Sequence, residues 1–308
     1  MSPLGSALRG YIAMRRGLGY KVCQQEKNLR SFVRFMHARG AVVITRKLAL
    51  QWATQLSEST ATSRARLSDV RGFARHLLST EPRTEVPPTG LFSGRSRPTP
   101  HLYTTKEITE LLKAALDLRS PDGLRRWTYY CLLGLLAVSG LRIGEAVSLR
   151  REDVDLEQGV LTIRGAKLGK SRLVPVHCTT RRVLMEYAKR RDRLLCRPRS
   201  SYFFVGADGG WLRPRRVRKV FHRLSRQTGL RAPESRTGPR LHDFRHAFAL
   251  QTLLARYRSG RNVEPLLPVL STYLGHTCVR DTYWYLSTCP ELMGHAVRRL
   301  ERSWRRVP

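Results

Sequence analysis

Apolar residues in the first eighty positions recur every three to four residues. Leu29, Phe32, Val33 and Met36 form one such stripe, and Val70, Phe73, Ala74 and Leu77 form another. Side chains at that spacing share one face of an α-helix, so the pattern predicts amphipathic helices packed on one another. Gly40 and residues 57–62 read as breaks between helices. Residues 1–80 are therefore expected to form a small all-helical domain. Residues 81–100 show no apolar period and hold Pro82, Pro87, Pro88, Pro98 and Pro100 together with Gly90 and Gly94. Proline at that density blocks regular helix and strand, so this stretch is expected to be an interdomain linker.

The pattern changes again from residue 101. Thr104 or Thr105 stands where a helix is capped, with Glu107 close behind, and Leu111, Leu112, Ala115 and Leu116 supply an apolar face. Residues 127–138 are largely apolar but too short to span a bilayer, which predicts a buried helix. Val160 and Thr162, then Leu173, Val174 and Val176, have strand character and flank a turn rich in Gly and Lys. Helices are expected at 183–195, 241–254 and 266–274, a strongly basic helix at 215–224, and a short strand at 202–205. Residues 101–308 thus read as a mainly α domain with a small antiparallel β-sheet.

Charge narrows the class of partner. The 308-residue chain holds 57 Lys and Arg against 23 Asp and Glu, a formal net charge of +34. Residues 1–100 carry 17 basic and 5 acidic side chains, and residues 101–308 carry 40 and 18, so both halves are basic. A field of that sign and spread attracts polyanions, and nucleic acid is the expected partner. The N-terminus carries Arg9, Arg15 and Arg16 and lacks a continuous apolar run, so a signal peptide is not expected. Cys23, Cys131, Cys178, Cys196, Cys278 and Cys289 form no CxxC pair and no zinc-ligand spacing. No zinc site is expected, and a reducing cytoplasm is the simplest setting.

Five local features carry chemistry. Arg142 lies in Ser139-Gly140-Leu141-Arg142-Ile143-Gly144-Glu145, directly after the buried helix. An Arg there costs desolvation unless it meets an anion, and Glu145 three residues on is the local candidate. Lys167 sits on the expected hairpin turn, with Lys170 as a local competitor. His242 and Arg245 form H-x-x-R, a spacing that puts both on one helix face. His276 follows Gly275, which can end a helix and aim the ring. Tyr285 comes nine residues later in the aromatic run 283–285, with Tyr283 as its rival. Singly, each feature has a plainer explanation: an ion pair, an exposed turn, a helix-dipole partner, a core tyrosine.

Together, in this order, they resemble the phage-integrase family, the tyrosine recombinases. That family carries an Arg in a G-L-R-x-x-E segment, a Lys on a β-hairpin, H-x-x-R, then L-G-H and a Tyr nine residues on, and residues 102–287 match throughout. Ser139 stands where the family often has Thr, and Pro265 and Pro268 raise the question of whether the helix before His276 is reshaped. The resemblance implies a catalytic domain over residues 101–308 and a core-binding, SAM-like DNA-binding domain over 1–80. It implies that Tyr285 attacks the scissile phosphate and forms a 3′-phosphotyrosine, with no metal or other cofactor required. Arg142 and Arg245 would clamp the phosphate, His242 and His276 would hydrogen-bond it, Lys167 would protonate the leaving 5′-oxygen, and Glu145 would support Arg142. The implied assembly is a homotetramer on paired DNA sites. The stripe Met293, Ala296, Val297 and Leu300 would dock on a neighbouring protomer or else pack on its own domain. The C-P-E-L-M and Y-W-Y runs suggest service to a mobile element, with the enzyme at the nucleoid while acting.

Three other readings make different demands. A type IB topoisomerase-like enzyme uses the same phosphotyrosine chemistry but relaxes DNA as a monomer. A catalytically inactive DNA-binding regulator has no need of a nucleophile. A metal-dependent nuclease needs clustered carboxylates, and this acid-poor chain has none in a metal-ligand pattern.

Overall fold

A computed structural model describes residues 3–55, 60–92, 99–165, 171–195, 200–235, 237–276 and 278–286, with 293, 294, 297, 298 and 301 near the end. The chain divides into two compact units, Met1–Pro98 and Thr99–Pro308.

In the first unit the described residues form α1 (Pro3–Gly17), α2 (Cys23–His37), α3 (Arg46–Gln55) and α4 (Thr60–Leu77). Their inner faces meet in one core that includes Leu8, Ile12, Leu29, Phe32, Met36, Trp52, Val70, Phe73 and Leu77, with Val33 at its edge. Both stripes read from the spacing therefore lie on core faces. The proline-rich stretch differs from expectation: residues 81–92 are fastened to the helices rather than spanning a gap. Glu85 N donates to Ile44 O (2.8 Å), and Arg71 donates to the carbonyls of Pro87 (2.7 Å) and Pro88 (2.6 Å). Val86 and Phe92 pack against the helical core. Proline lacks an N–H but keeps its carbonyl, so such a segment can be tied down without secondary structure of its own. Residues 93–98 lie outside the described residues.

The second unit opens with α5 (Thr105–Leu116), capped by Thr104: its hydroxyl accepts from Glu107 N while the Glu107 carboxylate accepts from Thr104 N. Then come α6 (Leu124–Ser139), α7 (Ile143–Ser148) and three antiparallel strands in the order β1 (Val154–Asp155), β2 (Val160–Ile163), β3 (Arg172–Pro175). Leu161 on the central strand faces Val154 on one side and Val174 on the other. The two-residue β1 is too short to show alternation, which is why the pattern missed it. Helices α8 (Cys178–Leu194), α9 (Pro214–Gln227), α10 (Asp243–Arg258), α11 (Leu266–Leu274) and α12 (Arg280–Leu286) complete the unit. The expected strand at 202–205 is not a ladder strand. It makes isolated bridges from Tyr202 to Arg150 and from Val205 to Trp211, and Phe203 and Phe204 instead fill the core.

Two features position the site. First, Pro265 and Pro268 leave α11 intact, because Pro265 sits at the N-cap and Pro268 in the first turn, where backbone N–H groups have no intrahelical acceptor to lose. Second, α10 serves two cores. Phe244 and Ala247 join the large cluster around α6, while Ala249, Leu250 and Leu253 join a smaller one with Leu267, Leu270, Leu274 and Tyr285. Helix α10 is thus held by one core near its start and by the other further along. Of the C-terminal stripe, Met293 and Val297 are described and exposed; Ala296 and Leu300 lie outside the described residues.

Candidate active site

Arg245, on the first turns of α10, is 1% exposed. A buried guanidinium needs acceptors, and this one finds them at two helix ends. Nη1 donates to Gly140 O (3.0 Å), at the C-cap of α6, and Nη2 donates to Leu274 O, the last residue of α11. C-terminal carbonyls lack intrahelical donors and carry the negative end of the helix dipole, so a cation there satisfies both. Gly140 adopts φ +60°, and a Cβ at that position would lie 2.7 Å from the Phe248 ring, so glycine is required. Burial first, then the nearby Arg142, pushes the Arg245 pKa down to about 10, which leaves it charged at neutral pH.

Arg142 reaches the same place from the N-cap of α7. Its backbone N (3.0 Å) and Nη1 (2.8 Å) donate to the two Glu145 oxygens, and Nη2 donates to Gly275 O (3.3 Å). The side chain is 32% exposed, so one face of the guanidinium stays open while Glu145 is covered. Burial alone would raise the Glu145 pKa, but hydrogen bonds from Arg172 and Arg142 outweigh it and hold the carboxyl below its usual range.

The ring groups gather beside these two arginines. Tyr285 is 3% exposed and lies close enough to Arg245 for that charge to act on its phenol, whereas Tyr283 is 51% exposed. Burial raises the Tyr285 pKa, with Arg245 and Arg142 acting against it, so the phenol is protonated at neutral pH. The His276 ring is nearly parallel to the Tyr285 ring, with centroids 6.1 Å apart, and its Nδ1 shares a 2.8 Å hydrogen bond with the Thr282 hydroxyl. His242 sits at the N-cap of α10, and its pKa is lowered by burial and then by Arg245 and Arg142. His246 bridges the group, its ring 4.6 Å from His242 and 5.4 Å from Tyr285.

A cleft of about 760 Å³ opens over Arg142 and His242, with Arg218 and His222 of α9, Arg240 and Gly165 also on its walls. Its rim is cationic, which suits a polyanion. Lys167 and Lys170 lie outside the described residues. Among the described residues no three His, Cys, Asp or Glu side chains converge as a metal-binding group.

The chain has relatives among known proteins. The model of the phage integrase family matches residues 102–290. The chain belongs to that family. A Sinorhizobium fredii protein named as an integrase/recombinase, y4rB, is 48% identical over 310 residues, covering 99% of each chain. The tyrosine recombinase XerD of Caulobacter vibrioides is 31% identical over 244 residues, covering 78% of this chain and 75% of its own. In fold, the Tn1549 transposon integrase in complex with transposon right end DNA superposes with a TM-score of 0.68 at 16% identity, over 96% of this chain and 98% of that one. No described helix is long and apolar enough to cross a membrane.

In this phage-integrase-family member, Arg142, Glu145, His242, Arg245, His276 and Tyr285 are brought together from segments more than 100 residues apart. Sequence reasoning passed over Arg172, Thr282, His246 and the cleft-wall residues Arg218, His222 and Arg240. His246 and Arg218 lay inside segments already singled out, and helical spacing from His242 marks His246 as its neighbour. Nothing local marks Arg172.

The histidines make stability depend on pH. Burial first, then Arg245 and Arg142, holds His276 at about 4 against an ordinary 6.5. Between those values the unfolded chain binds the proton and the folded chain does not. The contribution is therefore complete above about pH 6.5 and is lost as pH falls through about 4. Urea midpoints of wild type and His276→Asn, measured from pH 7 to 4.5 without DNA, are expected to show the wild-type advantage shrinking with acid. An advantage that grows with acid contradicts the assignment.

Proposed function

We propose that this site-specific DNA recombinase cuts and rejoins double-stranded DNA through a covalent 3′-phosphotyrosine on Tyr285. The observation that carries the proposal is the buried Tyr285 phenol set beside the buried, charged Arg245 and the rings of His276 and His246, with Arg142 and His242 close enough to bear on the same charges. A core tyrosine needs no such company. A nucleophile aimed at a phosphodiester does, because the pentacoordinate phosphorus gathers negative charge on its non-bridging oxygens.

The steps balance without an energy source. The Tyr285 oxygen bonds to phosphorus as the bond to the 5′-oxygen breaks, and the phenol proton passes to the neighbouring His246. Lys167 protonates the departing 5′-oxygen. Arg142 presents its open face to one non-bridging oxygen. Arg245, beside the phenol oxygen as it attacks, meets the other. His242 and His276, neutral in the DNA-free chain, donate to the phosphate, His276 through Nε2 because Nδ1 is engaged by Thr282. The phosphate ester is conserved in the intermediate, so a 5′-hydroxyl from a second duplex can reverse the reaction and complete the exchange.

The chain binds DNA and works as an oligomer. The finer arrangement belongs to the same proposal: the helical unit grips the duplex as a core-binding domain, four protomers hold two paired sites, and the C-terminal stripe docks on a neighbour. The service is integration or excision of a mobile element.

A pool of nicked duplexes with randomised sequence tests the reading. Cleavage near the nick releases a short 5′-hydroxyl fragment that diffuses away and traps the intermediate. The expected result is a detergent-stable protein–DNA adduct linked to a 3′-phosphate. Adduct formation should fall steeply between about 50 and 200 mM salt, since phosphate contacts release counterions. Cleavage that leaves no covalent protein–DNA species would overturn the proposal.

A further inference from the structure

Arg172 opens β3, directly after the hairpin segment that carries Lys167, and its side chain is 10% exposed. It touches three parts of the site at once. Its fork meets both oxygens of Glu145, Nη1 at 3.1 Å from Oε1 and Nη2 at 2.9 Å from Oε2. Nε donates to Tyr273 O (2.8 Å), near the end of α11. The guanidinium also lies flat on Gly275, where a Cβ would come within 2.7 Å of Nη1. Gly275, at φ +67°, is therefore required twice, by its conformation and by this contact.

The charges matter as much as the contacts. Glu145 is one carboxylate between two guanidiniums. Oε1 accepts from Nη1 of Arg142 and Nη1 of Arg172, while Oε2 accepts from the Arg142 backbone and Nη2 of Arg172. A carboxylate paired with Arg142 alone would cancel its charge. With Arg172 present, the trio keeps a net positive charge, and Arg142 supplies the exposed part of it. We propose that Arg172 is a positioning residue for strand cleavage, one that keeps Glu145 from neutralising Arg142 and fixes the α11 end from which Gly275 and His276 approach the phosphate. This rests on the roles proposed above for Arg142, His276 and Tyr285.

The test uses a nicked duplex recovered from the randomised pool, with single-turnover cleavage and equilibrium DNA binding measured side by side. Arg172→Met is expected to slow cleavage by about 10- to 100-fold, the scale of losing one aligned cation, with Kd within about threefold of wild type. Adding Glu145→Gln to Arg172→Met removes the unshared negative charge and is expected to recover cleavage several-fold. A purely structural pair predicts the opposite, a double variant no faster than Arg172→Met. Arg172→Lys keeps the charge without the fork and is expected to fall between Met and wild type. It carries the test if Arg172→Met does not fold, and a wild-type rate in Arg172→Lys would then overturn the inference. So would a wild-type rate in folded Arg172→Met, a Kd that weakens in step with its rate, or no recovery in the double variant. The proposed function is tested separately, by whether wild type forms the adduct and Tyr285→Phe does not.

Discussion

Tyr285→Phe abolishes the covalent adduct while Tyr283→Phe leaves it within about twofold of wild type. Removing a nucleophile from a site of this kind costs at least about 10⁴-fold in rate, because no neighbouring group takes over the attack. Phe keeps the ring contacts that place Tyr285 in the small core with Leu253, Leu270 and Leu274, so the fold should survive. What disappears is the oxygen on which the charges of Arg245 and Arg142 act. DNA binding should persist, since basic side chains elsewhere make the phosphate contacts. Tyr283 is 51% exposed, and its hydroxyl has no place in the arginine pair's hydrogen bonds. The measurement is the adduct band on the nicked duplex for each variant, beside a binding isotherm. An adduct that survives Tyr285→Phe, or that vanishes with Tyr283→Phe alone, assigns the chemistry to the wrong ring.

That choice illustrates what was legible beforehand. Nine-residue spacing after His276 favoured Tyr285, and burial distinguishes the same two rings by an independent route. Helix α6 was legible because an apolar stretch with no turn residue has few other fates. The pair His242 and Arg245 was legible because a spacing of three is one helix face. Arg172 was not, since its partners Glu145, Tyr273 and Gly275 lie 27, 101 and 103 positions away and only the packing of β3 on α11 unites them. Thr282 escaped for a similar reason: its hydroxyl matters because α12 turns back towards His276. The proline-rich stretch misled because composition reports the absence of helix and strand, whereas Arg71 and Ile44 decide where residues 81–92 rest. Pro265 and Pro268 raised a doubt that their positions at the start of α11 remove.

Arg245 carries two tasks, and its replacement should show both. Its guanidinium ties the carbonyl of Gly140 to that of Leu274, joining the ends of α6 and α11, and it faces the Tyr285 oxygen. Lys retains the charge but offers one compact ammonium in place of a planar fork, so it cannot serve both carbonyls at once. Each buried carbonyl left without its donor costs about 1–3 kcal/mol. Part of that loss is offset in an apolar variant such as Arg245→Leu, which no longer desolvates a charge. Arg245→Lys is therefore expected to be destabilised by about 2–4 kcal/mol, and Arg245→Leu by no more than Lys. Activity should order the variants differently. Cleavage by Arg245→Lys should fall by about 10²- to 10³-fold, since a misaligned cation stabilises the phosphorane poorly, and Arg245→Leu should fall further. Urea midpoints and single-turnover cleavage on the same preparations separate the two effects. If Lys matched wild type in both, the fork geometry would be irrelevant. If stability and cleavage declined in the same order across both variants, the residue would be acting through the fold alone. The predicted crossing, with Leu folding at least as well as Lys yet cleaving worse, is the signature of a buried cation held in place for a phosphate.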